Sequence, residues 1–150
     1  MARAEHVTIT NMCMIYDGTR VLVQDRVDPQ WPGITFPGAH VEKGESFTDA
    51  VIREVLEETG LRISAPQLCG IKDWTDDDGT GYMVLCYKTN QFSGTVASSN
   101  EGEVYWVELD ELKNVSLASG MDKMFQLFVN EAISEEYFYK ENGEWKESLK

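Results

Sequence analysis

The chain has 150 residues, room for a single domain spanning 1–150, which buries enough surface to need no disulfide or structural metal. Hydrophobic residues supply 42% and charged residues 26%, the balance of a globular chain rather than a disordered one. Thirteen Lys+Arg against 26 Asp+Glu leave a net charge of −13, which argues against long nucleic acid as a partner and calls for a divalent cation if the partner is anionic.

No apolar run approaches the roughly 18 residues of a membrane span. The opening Met1-Ala-Arg-Ala-Glu-His6 has no apolar signal core. Cys13, Cys69 and Cys86 are widely spaced in apolar surroundings, without zinc-ligand spacing, and read as buried reduced thiols. Together these give the expectation of a cytoplasmic protein with no membrane partner. A monomer and a homo-oligomer both stay open.

Alternation predicts a first strand over Val7 to Tyr16, a turn at Asp17-Gly18 and an answering strand over Val21 to Asp25. The segment Asp28 to Gly33 is a loop by its prolines and glycine, and Ile34 to Phe36 a short strand. A helix is predicted from Phe47 to Glu58, with Ser46 as N-cap and Phe47, Ala50, Val51 and Val55 on one face. Gly60 suits the left-handed position that ends it. Strands follow at Leu68–Trp74, Tyr82–Lys88 and Val104–Glu108, the first two joined at Asp76-Asp-Asp-Gly79. A second helix is expected over Met121 to Ala132, with Met124, Phe125, Phe128 and Ala132 inward. Asn142-Gly143 then turns two last strands, Tyr137–Lys140 and Trp145–Leu149. Strands interleaved with two helices predict an α/β fold with a mixed sheet packed on both faces.

The first helix carries the chemistry. Glu54, Glu57 and Glu58 lie at i, i+3 and i+4, so three carboxylates share a face near the helix C-terminus, where the dipole disfavours them. Hard oxygen donors clustered in this way suit Mg²⁺ or Mn²⁺. A solvated glutamate-rich face is the alternative.

The surroundings of the cluster add to this. Glu45 stands seven residues before Arg53-Glu54-Val55-Leu56-Glu57-Glu58-Thr59-Gly60-Leu61. This stretch resembles the box of the Nudix (MutT-like) hydrolase family: Gly, five residues, Glu, seven residues, Arg-Glu, apolar, any, Glu-Glu, any, Gly, apolar. A chance match anywhere in the chain is on the order of 10⁻⁶ at ordinary residue usage. One position departs: the first glycine of the box falls on Ala39, with Gly38 before it.

The resemblance implies the Nudix fold, a mixed β-sheet sandwiched between helices (α/β/α) with a C-terminal hairpin. It implies Mg²⁺, with Mn²⁺ as a substitute, held by Glu54 and Glu58, by Glu57 directly or through water, and by the carbonyl of Ala39. Arg53 would lock the loop against the helix by pairing Glu45 or a helix glutamate. Glu42 would assist metal or water. Glu57, Glu58 and Glu101 are the candidates for catalytic base, Glu101 being equally readable as a plain loop acid. The reaction implied is hydrolysis of a phosphoric anhydride by activated water.

Beyond the box, the chain resembles the 8-oxo-dGTP diphosphatase branch in its first hairpin, in Asn100-Glu101-Gly102 ahead of Trp106, and in its closing aromatic hairpin. That resemblance implies an oxidised purine nucleotide as substrate, with Asn11, Thr35 and Asp122 at pocket positions and Arg26 near phosphate or base. Asn11 and Asp122 suit a purine edge, with a satisfied strand polar group and an N-terminal helix charge as their alternatives. RNA 5′ ends, ADP-ribose and dinucleoside polyphosphates remain as other substrates, and a non-catalytic nucleotide sensor as another class.

Overall fold

The computed structural model describes residues 3–150. Its strands are β1 (Val7–Asp17), β2 (Arg20–Arg26), β3 (Gly33–Thr35), β4 (Leu61–Ser64), β5 (Gln67–Thr75), β6 (Gly81–Thr89), β7 (Gln91–Gly94), β8 (Gly102–Glu108), β9 (Glu135–Glu141) and β10 (Glu144–Leu149). The helices are α1 (Phe47–Thr59), α2 (Met121–Met124) and α3 (Gln126–Val129), with a 3₁₀ turn over Leu109–Asn114.

The main sheet is mixed, in the order β10-β9-β5-β6-β1-β2-β3, with β8 also paired to β2. β1 runs parallel to β6 from Val7↔Gly81 to Ile15↔Thr89. Period-two alternation divides its side chains between two cores. Cys13 and Ile15 join Leu22, Val51, Val55 and Leu61 on the α1 face. Met12 and Met14 join Val23, Phe36, Met121, Met124, Leu127 and Phe128 on the other. The expected α/β architecture with helices flanking a mixed sheet is what forms.

β1 and β2 pair only at Tyr16↔Val21 and Asp17↔Arg20, then part. The box loop lies in the opening beside β1. The Cys13 amide donates to the Pro37 carbonyl at 2.8 Å, the Asn11 amide to the Ala39 carbonyl at 2.8 Å, and the Val41 amide to the Ile9 carbonyl at 2.9 Å. The loop is therefore held as a pseudo-strand by a strand of the core.

The second helix differs from expectation. It breaks at Phe125 into α2 and α3 and ends at Val129. Met121, Met124, Leu127 and Phe128 are the buried side chains, while Ala132 is exposed. Burial every third residue suits a tighter winding than 3.6 per turn, and the Phe128 amide donates to the Phe125 carbonyl in that manner, at 3.0 Å. The small β4–β7 sheet and the 3₁₀ turn were absent from the sequence reading. Cys69 is half-buried rather than buried, and the three thiols are unbridged. Among the described residues no helix is long and apolar enough to cross a membrane.

Candidate active site

α1 is fixed at both ends by local chemistry. Ser46 has extended backbone, and its hydroxyl accepts the Asp49 amide at 3.0 Å. Gly60 closes the helix in the left-handed region (φ 78°), donating to the Leu56 carbonyl at 3.0 Å. The helix packs Ala50, Val51 and Val55 on the sheet, and this phase carries Glu58 inward with them, to 3% exposure.

Glu58 meets the box loop there. Its Oε2 accepts the Gly38 amide at 2.7 Å. Gly38 has φ 149°, and a Cβ in its place would collide with the Asn11 carbonyl oxygen, so the close approach needs glycine. Ala39 is not among the residues with positive φ, so alanine sits there without backbone strain. Its amide donates to Asn11 Oδ1 at 3.1 Å, and its carbonyl already accepts the Asn11 amide, leaving one lone pair for another partner.

Arg53 ties loop to helix. Its Nε and Nη2 grip the two oxygens of Glu45 at 2.7 and 2.9 Å, a bidentate fork. Nη1 reaches Glu54 at 2.7 Å and Glu57 at 3.2 Å, and Nη2 also donates to the His40 carbonyl at 3.2 Å. Glu42 stands further off, at 3.9 Å. The Arg53 hydrogen bonds hold the Glu45 carboxyl down at about 2, and Glu45 raises the Arg53 pKa in return.

Burial pushes Glu58 the other way, up to about 8. The Gly38 amide opposes this, the charges of Glu54 and Glu101 add to it, and Arg26 offsets it in part. Glu54 is also raised, first by burial and then by Glu57 and Glu101, against the pull of Arg53. Glu101 is held by its loop: its amide donates to Ser99 Oγ at 3.2 Å and its carbonyl accepts the Val27 amide at 3.3 Å. Glu54, Glu58 and Glu101 thus share one acidic field.

Among the described residues no three carboxylate, imidazole or thiolate groups converge tightly enough to form a ready-made metal cage. One Arg53 nitrogen, Nη1, holds Glu54 and Glu57 together. The chemistry of the donors nevertheless fits a hard divalent cation: they are all oxygen, mutually repulsive, and include one nearly buried carboxylate that is costly to ionise alone.

The expected substrate residues fall in three places. Thr35 and Asp122 line one cavity of about 450 Å³, with apolar walls that include Phe36, Leu117, Met121 and Phe125. Asn11 lies outside that lining and holds the box loop instead. Arg26 is outside it too, with Nε on the Trp31 carbonyl at 3.0 Å and its guanidinium 5.1 Å from the Trp31 ring centre. The sequence reading missed Asp110 and Lys113, which line the cavity from the 3₁₀ turn. Their only signal was Leu109 and Leu112 three apart. It also missed Gln24, a polar residue in phase with inward-facing Leu22.

The NUDIX domain family model matches residues 6–128. The chain is 32% identical over 117 residues to the uncharacterised Nudix hydrolase YvcI of Bacillus subtilis, covering 75% of this chain and 72% of that one. It is 26% identical over 129 residues to an ADP-ribose pyrophosphatase of Methanocaldococcus jannaschii, covering 85% and 70%. A solved MutT protein from Bacillus halodurans superimposes with a TM-score of 0.79 at 26% identity, covering 95% of this chain and 97% of that one. With the Glu45–Arg53 lock and the acidic field around Glu58 in place, the chain belongs to the NUDIX domain family and is a Nudix hydrolase, with the family's general Mg²⁺-dependent pyrophosphohydrolase activity on a nucleotide substrate.

Proposed function

We propose that the substrate is an oxidised purine nucleoside triphosphate, 8-oxo-dGTP first, hydrolysed to the monophosphate and pyrophosphate. The observation that carries this reading is continuity between two sites. β3 and Phe36 wall the apolar cavity, and the chain then passes straight into the Pro37-Gly38 turn that meets Glu58. A base seated in the cavity would leave its phosphates beside the acidic cluster. The volume suits a base with part of its sugar, and Phe36 and Phe125 offer aromatic surface. Asp110 and Asp122 supply acceptors for base N–H groups, and Lys113 a donor for carbonyl oxygen.

Glu54, Glu57, Glu58 and Glu101, with the Ala39 carbonyl, would hold Mg²⁺ or Mn²⁺. When bound, such a cation neutralises phosphate oxygens and lowers the pKa of a bound water. The residues do the rest. Arg53 keeps the glutamates and the loop in fixed relation. Arg26, whose charge already reaches Glu58, adds positive charge on the phosphate side. One of Glu57, Glu58 and Glu101 takes the proton of the attacking water. The water oxygen forms the new P–O bond, and the bond to the leaving pyrophosphate breaks in line.

A second reading has one observation in its favour. The Methanocaldococcus jannaschii relative is an ADP-ribose pyrophosphatase, and the same cavity would take its adenine. The non-catalytic sensor loses its one support, because Ala39 sits in ordinary backbone.

The test is purified protein with Mg²⁺ against 8-oxo-dGTP, the four dNTPs, ADP-ribose, a dinucleoside polyphosphate and a triphosphorylated RNA oligomer. Products would be resolved by ion exchange. The expected outcome is the highest kcat/KM on 8-oxo-dGTP, with monophosphate and pyrophosphate released. A higher kcat/KM on ADP-ribose would transfer the assignment to it.

A further inference from the structure

Gln24 is fully buried, at 0% exposure, and neither its amide nitrogen nor its amide oxygen has a hydrogen-bond partner among the described residues. Asn11, at 3% exposure, is half satisfied: its oxygen holds the Ala39 amide while its nitrogen has no partner among the described residues. Buried amides rarely stay unpaired, because each loses its bonds to water without replacement. An apolar residue would have been the cheap choice at position 24, where Leu22 two residues earlier packs against α1.

Both amides stand on the α1 side of the sheet. Alternation puts Asn11 in phase with Cys13, and Gln24 in phase with Leu22, both members of the core under α1. Gln24 lies opposite Thr35 on one neighbouring strand and Val104 on the other. Two residues on, Arg26 acts electrostatically on Glu58. Three residues beyond Thr35, Gly38 donates to Glu58. The Thr35 hydroxyl spends its proton on the Phe36 carbonyl at 3.0 Å, so it faces its surroundings as an acceptor. A fully buried amide with open donors and acceptor therefore stands on the sheet face against which α1, and with it Glu58, packs.

We propose that Gln24 is a positioning residue for Glu58, linked to it and to the Asn11 amide nitrogen through ordered water under the last turn of α1. A buried water makes about three hydrogen bonds, and the open groups of Gln24, Asn11, Thr35 and Glu58 supply them. Gln24 then fixes which way the Glu58 carboxylate faces, as outer partners of metal-ligating carboxylates do. It need not touch substrate. This inference rests on the reading of Glu58 as a member of the metal-holding set.

The test compares wild type with Gln24→Met, which matches the shape and removes the amide, and Gln24→Asn, which keeps the amide. Three readouts are taken: melting temperature, Mn²⁺ affinity by electron paramagnetic resonance without nucleotide, and kcat and KM on the best substrate. In Gln24→Met the melting temperature should hold or rise, Mn²⁺ Kd should rise about 10-fold, and kcat should fall about 10- to 100-fold with KM little changed. Gln24→Asn should recover part of both losses. Wild-type Mn²⁺ affinity and kcat in folded Gln24→Met would overturn the proposal. Should Gln24→Met not fold, a high-resolution crystal structure of the wild type decides. Water joining Gln24 to Glu58 supports the link, whereas a Gln24 bonded only to neighbouring strands removes it. If wild type turns over nothing in the substrate panel, the proposed function fails, while Mn²⁺ affinity and the water structure still decide the role of Gln24.

Discussion

At the scale of single residues, Glu58 and Arg53 sit in opposite environments. Glu58 is a carboxylate forced into the sheet-facing side of a helix, and its side chain accepts the Gly38 amide. Glu58→Gln keeps the size and still accepts that amide. It should lower kcat about 10²- to 10⁴-fold, the range for a lost acid–base group, with the melting temperature unchanged or higher. Kinetics beside circular dichroism check it, and near-wild-type turnover in a folded variant would remove Glu58 from the mechanism. Arg53 works through geometry. Arg53→Lys keeps the charge and loses the two-pronged grip on Glu45, so activity should fall about 10- to 100-fold. The family resemblance left Arg53 to pair Glu45 or a helix glutamate, and the structure has it hold Glu45, Glu54 and Glu57 together. The depth of Glu58 was not legible in the sequence, since it depends on how closely the loop approaches the helix.

At the scale of elements, the loop 37–41 and α1 form one unit. The loop is hydrogen-bonded to β1 on one side and to Glu58 and Arg53 on the other. Gly38 is where these surfaces touch. Gly38→Ala would drive a methyl into the Asn11 backbone, costing about 1–3 kcal/mol of stability, and most activity with it. Ala39→Gly should cost only about 0.4–1 kcal/mol, through added freedom of the unfolded chain, and leave kcat near wild type. Urea titration and kinetics on the pair separate the two positions. An Ala39→Gly variant with greatly raised kcat would show that alanine does impair the turn. The break between α2 and α3 belongs to this scale too. The apolar positions predicted a helix, but the sheet accepts burial every third residue, and Phe125 is left half-buried at the cavity wall.

For the whole molecule, the acidic centre couples stability to pH, and with the proposed metal-holding set also to a divalent cation. The Glu58 carboxyl rises from its ordinary 4.5 to about 8 on folding. Between those values the folded chain binds more proton than the unfolded one, so this stabilisation is complete below pH 4.5 and is lost as pH rises through about 8. In EDTA the melting temperature should therefore fall from pH 6 to pH 8.5, by roughly 2–4 °C for each kcal/mol of linkage. Asp73 and Glu136, both raised to about 7 by burial and by a neighbouring carboxylate, slope the same way. Excess Mg²⁺ favours ionised Glu58 and should flatten only its part of the slope. Differential scanning calorimetry with and without chelator measures this, and identical slopes would separate Glu58 from the cation. The same chelator should abolish hydrolysis, and undiminished turnover in EDTA would overturn the metal requirement.

The sequence by itself determined the family, the capped helix and most strands, because these rest on short spacings and local propensities. Turn residues such as Asn142-Gly143 and caps such as Ser46 act within a few residues of themselves. Tertiary structure alone decided the rest. It parted β1 from β2 to admit the box loop, seated Glu58 against Gly38, and gathered Thr35, Asp110, Lys113 and Asp122 around one cavity. It also separated Asn11 from that cavity and buried Gln24 beneath α1. Those outcomes depend on contacts between residues far apart in the chain, and no local pattern encodes which face of a neighbouring strand a side chain will meet.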